Sequence, residues 1–138
     1  MSAACRPIAT TVRVDGEASL PAVHRAVDEA GRLMGFGLVD HTKLITAASE
    51  LARNIALYAG TGSITVEELA GVGRCGLRLV FEDRGPGIPD IGRAMQDGYS
   101  TGKGMGLGLP GAKRLAHEFS IDSAPGVGTR IVFVLWRR

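Results

Sequence analysis

The sequence lacks the features that mark several large classes of protein. Its 138 residues include only two cysteines, Cys5 and Cys75, which are too few for a disulfide framework and lack the spacing of a metal site. The longest apolar run is Ile131–Trp136, six residues, whereas a membrane helix needs roughly 18. Residues 1–16 contain no apolar stretch behind a positive one, as a secretion signal would. We therefore expect a cytoplasmic protein that does not contact a membrane.

Net charge is also small. The 16 Lys and Arg residues are nearly balanced by 14 Asp and Glu residues, and they form no basic run. This balance argues against nucleic acid as a partner. With 45% apolar and 22% charged residues, the composition is that of a globular protein, and we expect residues 1–138 to form a single domain.

Hydrophobic periodicity predicts the order of the elements. Helices group together and most strands group together, which favours an α+β fold: a two-layer sandwich with helices on one face of a mixed, mostly antiparallel sheet. Ser19 is expected to cap the first helix. The pattern predicts strands at residues 8–14, 63–69, 77–82 and 129–136, a further strand beginning at Ile121, and helices at residues 20–34, 40–58, 90–97 and 107–117.

The second predicted helix carries a polar pair beside its apolar stripe. Glu50 and Asn54 are four residues apart, so their side chains share one helix face at the edge of the core. A carboxylate and an amide oxygen so placed suit Mg²⁺, or a general base beside a Mg²⁺ ligand. On this helix alone, a solvated Glu/Asn pair is the favoured interpretation, because such pairs are common.

A second candidate follows the strand that ends near Glu82. In the run Glu82–Ile88, the carboxylate of Asp83 precedes a turn in which Gly85 and Gly87 leave room for a ligand on the backbone. Asp83 could there accept a hydrogen bond from an amine-bearing ring. An ordinary strand-to-turn junction is the alternative.

Glycine is abundant in one window only. Nine of the 20 glycines fall within residues 85–111, interleaved with Met105, Leu107 and Leu109, which a flexible linker would not carry. The run 100–109 leads into a helix, so free backbone N–H groups and Lys103 could cradle a phosphate.

Two common nucleotide motifs are absent. The glycines at 106, 108 and 111 match the spacing of the dinucleotide fingerprint, but no strand precedes them and no acidic strand end follows. A Walker A loop is excluded because Lys103 is followed by glycine rather than Ser or Thr.

Taken in order, these segments resemble the boxes of the Bergerat ATP-binding fold, the superfamily of gyrase, MutL and sensor histidine kinases. Ser49-Glu-Leu-Ala-Arg-Asn-Ile55, Glu82-Asp-Arg-Gly-Pro-Gly-Ile-Pro-Asp90 and Gly108-Leu-Pro-Gly-Ala-Lys-Arg-Leu115 are most similar to the RsbT-type serine/threonine switch kinases. The resemblance covers nearly the whole chain and implies a single Bergerat-type ATP-binding kinase domain.

The resemblance also implies roles for single residues. Asn54 matches the Mg²⁺-holding asparagine, and Glu50 matches the acidic residue that acts as general base or orients the attacking hydroxyl. Asp83 matches the aspartate that reads the adenine amine, and Thr129 the threonine that helps to bind adenine through a water. The other residues implied to contact ATP or ADP are Gly85, Gly87, Ile88, Gly102, Lys103, Gly104, Met105, Gly106, Leu107 and Gly108. The segment matching the lid is short, so no large lid closure is expected.

The activity implied is ATP- and Mg²⁺-dependent phosphorylation of a serine or threonine on a STAS-domain antagonist or scaffold in stressosome-type signalling. The released kinase would then activate a downstream phosphatase or regulator. We expect the partner to dock on the rim formed by residues 99–103, Arg53 and Arg93. Alternatives are an anti-sigma-factor kinase of the RsbW or SpoIIAB type and a non-catalytic nucleotide-dependent binding module; both a monomer and a homodimer are compatible with the sequence.

Overall fold

The computed structural model describes residues 9–85 and 108–137, which form five strands and three α-helices. A 3-10 helix, Glu17–Ser19, precedes the first α-helix, and a π-helical turn, Ile55–Ala59, follows the second. In chain order the elements are β1 (Ala9–Asp15), α1 (Leu20–Met34), α2 (Leu38–Asn54), β2 (Thr61–Gly71), β3 (Arg74–Asp83), α3 (Gly108–Leu115), β4 (Glu118–Ala124) and β5 (Gly128–Trp136). This order confirms the α+β prediction.

The five strands form one sheet in the order β1-β2-β3-β5-β4. All four pairings are antiparallel, so the described strands contribute no parallel pair to the sheet that was expected to be mixed. One face of the sheet packs on the helices through buried residues such as Leu79, Phe81 and Phe133. Each such fully buried side chain stabilises the fold by about 1.5–3 kcal/mol.

The opposite face of the sheet is mostly polar. Arg78 Nε and Glu67 Oε1, on paired strands, lie 2.6 Å apart, and Arg130 Nε lies 3.5 Å from Glu82 Oε2. Alternation of buried and polar positions along each strand thus separates a helix-covered face from an open one. The expected two-layer arrangement is confirmed.

Helix α2 forms the centre of the helical layer. Its buried positions include Leu44, Ala48 and Leu51, and α1 packs closely beside it where Gly31 lies against His41 and Leu44. The helix continues as the π-helical turn until Gly60, whose positive φ of 85° ends it and whose N–H donates to Ile55 O at 2.8 Å. The run predicted at residues 40–58 is therefore one α-helix with a widened last turn.

Some element ends differ from the sequence prediction. Ser19 precedes α1, but its side chain makes no capping bond. Its Oγ accepts instead from Asp15 N–H, at 2.8 Å, at the end of β1. Helix α3 stops at Leu115 rather than residue 117, and β4 begins at Glu118 rather than Ile121. The helix predicted at residues 90–97 lies outside the described residues.

Across the described ranges, 9–85 and 108–137, no helix has the length and apolar character needed to cross a membrane.

Candidate active site

The last turn of α2 presents the predicted base and metal ligand. Glu50 and Asn54 occupy one face of the helix, and both side chains are half-buried. Leu51, between them in sequence, is fully buried, which sets this face at the margin of the core. Among the described residues, no hydrogen bond or ion pair engages the side chain of Glu50 or Asn54. Their oxygen atoms are therefore available to a ligand.

Asp83 ends β3 with its carboxylate held in a turn. Its Oδ1 accepts the backbone N–H of Gly85 at 2.8 Å, and the residue is half-buried. This bond to the backbone two residues further on fixes the orientation of the carboxylate. The second oxygen, Oδ2, is left to accept from another donor.

Strand β5 begins directly beside Asp83. Thr129 is the cross-strand partner of Asp83, and both side chains lie on the helix-covered face because they are two residues from Phe81 and Ile131. Gly128 makes this approach possible: its φ is 135°, and a Cβ there would collide with Asp83 O. Only glycine fits so close to the neighbouring backbone.

The end of α2 reaches the Asp83 turn through the π-helical segment. A Cβ added at Gly85 would lie 2.6 Å from Ala59 Cβ, and one added at Gly62 would lie 2.8 Å from Ile55 Cγ2 and 3.1 Å from Asp83 Cβ. The segment that follows Asn54 therefore packs against Gly85, in the turn after Asp83, and against Gly62, the partner of Asp83 on β2. Single turns with π geometry are frequent at functional sites. The structure thus brings the α2 and β3 candidates to one end of the sheet.

A cavity of about 260 Å³ lies beside this region, between the start of α1 and the end of α2. Arg53 lines it and is half-buried, whereas the docking rim expected from the sequence required an exposed arginine. The lining residues are Leu20, Pro21, Val23, His24, Ser49, Ala52 and Arg53.

The chain matches, over residues 39–138, the family described as histidine kinase-, DNA gyrase B-, and HSP90-like ATPase. The chain belongs to this family. ATP binding follows from membership in the HATPase family, in agreement with the α2, β3 and β5 constellation.

A relative of known activity indicates which kind of enzyme this family member is. The chain is 49% identical over 127 residues to "Serine/threonine-protein kinase RsbT" of Bacillus subtilis (strain 168), an alignment that covers 92% of this chain and 96% of that protein. This HATPase family member is therefore an enzyme of the RsbT-type serine/threonine kinases.

Two solved structures share the fold. The RsbU and RsbW domains of a Mycobacterium tuberculosis protein superpose with a TM-score of 0.64 at 21% identity, covering 96% of this chain and 33% of that one. A mycobacterial sensor histidine kinase, MprB, gives a TM-score of 0.56 at 22% identity, covering 95% of this chain and 99% of that one. These likenesses support the two-layer HATPase architecture.

The oxygen donors of the site fit a magnesium ion. Within the described parts of the chain, no group of three or more His, Cys, Asp or Glu residues could hold a metal by itself. Mg²⁺ is commonly bound through one or two protein oxygens with substrate phosphates and waters as the other ligands. The half-buried amide oxygen of Asn54 matches that requirement.

Several predicted nucleotide-binding residues lie outside the described residues, and their roles stay predictions. These are Gly87, Ile88, Gly102, Lys103, Gly104, Met105, Gly106 and Leu107, together with Arg93 and residues 99–103 of the expected docking rim. Gly108 is described as the first residue of α3, the helix into which the glycine-rich run was expected to lead, and Pro110 lies in the first turn of that helix.

Sequence reasoning missed two residues around Asp83. Gly62 is its partner on β2, and Ser123 is the partner of Thr129 on β4, so both lie in the same row across the sheet. Only the register of the strands shows that these residues lie beside Asp83 and Thr129, and that register is determined by the hairpin turns.

Proposed function

We propose that this kinase transfers the γ-phosphoryl group of ATP to a serine or threonine of a STAS-domain antagonist or scaffold protein. After that transfer it changes partners and activates a downstream phosphatase or regulator in a bacterial stress-signalling pathway. The proposal includes a Mg²⁺ requirement and treats residues 1–138 as one ATP-binding kinase domain.

The observation that carries the proposal is that two polar side chains on α2, with no hydrogen-bond partner among the described residues, lie at the same end of the sheet as the Asp83 turn. Glu50 and Asn54 share the end of α2, and the segment after them packs against the turn that holds Asp83. Phosphoryl transfer requires mainly positioning and charge neutralisation. A rigid helix end beside a strand end provides such positioning for both the nucleotide and the acceptor hydroxyl.

Each residue has one proposed task. Asp83 Oδ2 accepts from the adenine amine, and Thr129 supports the same edge of the base. Asn54 contributes its amide oxygen to Mg²⁺, which when bound neutralises phosphate charge. Glu50 takes the proton of the acceptor hydroxyl as that oxygen bonds to the γ-phosphorus and the bond to the β-phosphate oxygen breaks, which releases ADP.

The partner is proposed to dock beside Glu50, because its hydroxyl must reach the γ-phosphate. Arg53 follows Glu50 by less than one turn of the same helix and lines the neighbouring cavity. The cavity combines apolar walls from α1 with one guanidinium, a combination typical of the anchoring part of a protein interface.

The test is phosphorylation of a purified STAS-domain protein from the same genome by this chain with Mg²⁺ and ATP, followed by mass spectrometry of the modified site. We expect one phosphoserine or phosphothreonine on the partner and none without the kinase. Capture of a sigma factor in place of a STAS protein would support the anti-sigma-factor alternative. ATP binding without transfer to any candidate would support a binding module.

A further inference from the structure

Ser123 and Thr129, on adjacent strands, form a hydrogen-bond chain with a defined direction. Ser123 Oγ donates to Gly128 O at 3.1 Å and lies 2.8 Å from Thr129 Oγ1. A hydroxyl has a single proton, and a carbonyl oxygen can only accept. Because the Ser123 proton is directed to Gly128 O, Thr129 must donate in the second bond.

This direction determines what Thr129 can offer to a ligand. Its only hydroxyl proton is committed to Ser123, so the remaining lone pairs of Oγ1 can only accept hydrogen bonds. Asp83, its cross-strand partner on β3, is also an acceptor, since its carboxylate carries no proton when ionised. The side chains of Asp83 on β3 and Thr129 on β5 therefore offer a ligand only hydrogen-bond acceptors.

We propose that Ser123 is a positioning residue that makes the nucleotide pocket selective for a 6-aminopurine over a 6-oxopurine. The inference rests on the proposed placement of the purine against Asp83. The amino group of adenine offers two protons to these acceptors, whereas a 6-oxo group offers lone pairs that meet other lone pairs. Without the Ser123 hydroxyl, the Thr129 proton is free to turn and donate to a 6-oxo group.

The experiment compares binding of ATP and inosine 5′-triphosphate by calorimetry, in the full chain with Mg²⁺. The two nucleotides differ at the 6-position of the purine and in the proton that hypoxanthine carries on the adjacent N1, so the ratio of their affinities reports recognition of this edge of the base. We expect the wild type to prefer ATP, and Ser123→Ala to lower the ATP-to-inosine ratio about 5- to 10-fold, as for the loss of one oriented hydrogen bond.

Three further variants separate orientation from stability. Ser123→Thr keeps the hydroxyl and should keep the ratio, as should Ser120→Ala, which removes an exposed hydroxyl from the open face of the same strand. In a Thr129→Val background, Ser123→Ala should produce no further change in the ratio, because its effect passes through Thr129. A general loss of stability lowers both affinities and leaves their ratio unchanged. If Ser123→Ala does not fold, Ser123→Cys tests the same point through its weaker donor.

The outcomes distinguish this inference from the proposed function. A wild type that binds both nucleotides equally, or neither, contradicts the placement of adenine against Asp83. A wild type that prefers ATP, with a ratio unchanged in Ser123→Ala, overturns the role of Ser123 alone. That role is also overturned if Ser123→Ala changes the ratio as much in the Thr129→Val background as it does in the wild type.

Discussion

Asp83 and Thr129 face each other across neighbouring strands, one at the end of β3 and the other near the start of β5. One oxygen of the Asp83 carboxylate is occupied by the Gly85 N–H, at 2.8 Å. The site therefore offers a single well-oriented anionic oxygen, with a hydroxyl beside it on the next strand. In the proposed complex this pair binds the amine edge of adenine.

Asp83→Asn should weaken ATP binding about 10- to 100-fold, the range for losing a hydrogen bond to a charged group. The amide retains an oxygen for the Gly85 N–H, so the turn can persist, while its NH₂ group opposes the adenine amine. Calorimetric titration measures the change. Asp122→Asn, on the open face of β4, is the matched control and should bind ATP as the wild type does. Equal affinity of the wild type and Asp83→Asn would exclude the adenine assignment.

Charge reversal at Arg53 should separate partner binding from nucleotide binding. Arg53→Glu is expected to weaken binding of the STAS partner by at least about 1 kcal/mol, since it reverses a charge at the proposed interface. ATP affinity should not change, because Arg53 faces the cavity between α1 and α2 rather than the Asp83 turn. Arg13→Glu, on an exposed position of β1, is the control. Loss of both affinities, or of neither, would locate the docking surface elsewhere.

A polar pair between α1 and α2 should make stability depend on acidity. Asp28 Oδ1 lies 2.8 Å from His41 Nε2, and this hydrogen bond, with Arg32, lowers the pKa of Asp28 below its usual value of 3.8. A carboxyl with a lowered folded-state pKa contributes stability above the unfolded pKa and loses it as the pH falls through the folded pKa.

The measurement is a double-mutant cycle of Asp28→Asn and His41→Ala by chemical denaturation at several pH values. Coupling between the two residues should be present near pH 6 and should vanish as the pH falls through the lowered pKa of Asp28, where the carboxyl becomes protonated. Coupling that stays constant over this range would show that the carboxylate charge does not contribute.

Sequence periodicity predicted most of the helical layer and the location of Glu50 and Asn54. The stripe that includes Leu44, Ala48 and Leu51 is strong because burial on one face of a helix repeats every three to four residues. The start of α2 was misplaced by two residues, since its N-cap is Gly37, which carries no side chain to signal a cap.

The sheet was less accessible to sequence reasoning. Nothing in the alternation of a strand tells which other strand it pairs with. A mixed, mostly antiparallel sheet was expected, and all the described pairs are antiparallel. Ser123 was missed for the same reason. Its pairing with Thr129 depends on the tight turn between β4 and β5, where Gly126 adopts a φ of 79° and Val127 N–H donates to Ala124 O.

The proposed catalytic role of α2 is tested most directly by measuring both ATP affinity and phosphoryl transfer to the STAS partner in two variants, Asn54→Ala and Glu50→Ala. Asn54→Ala should weaken Mg²⁺-dependent ATP binding. Glu50→Ala should keep the ATP affinity of the wild type and slow transfer by about 10²- to 10⁴-fold, the range for a lost general base. Transfer by Glu50→Ala at the wild-type rate would contradict the central claim that this end of α2 performs the chemistry.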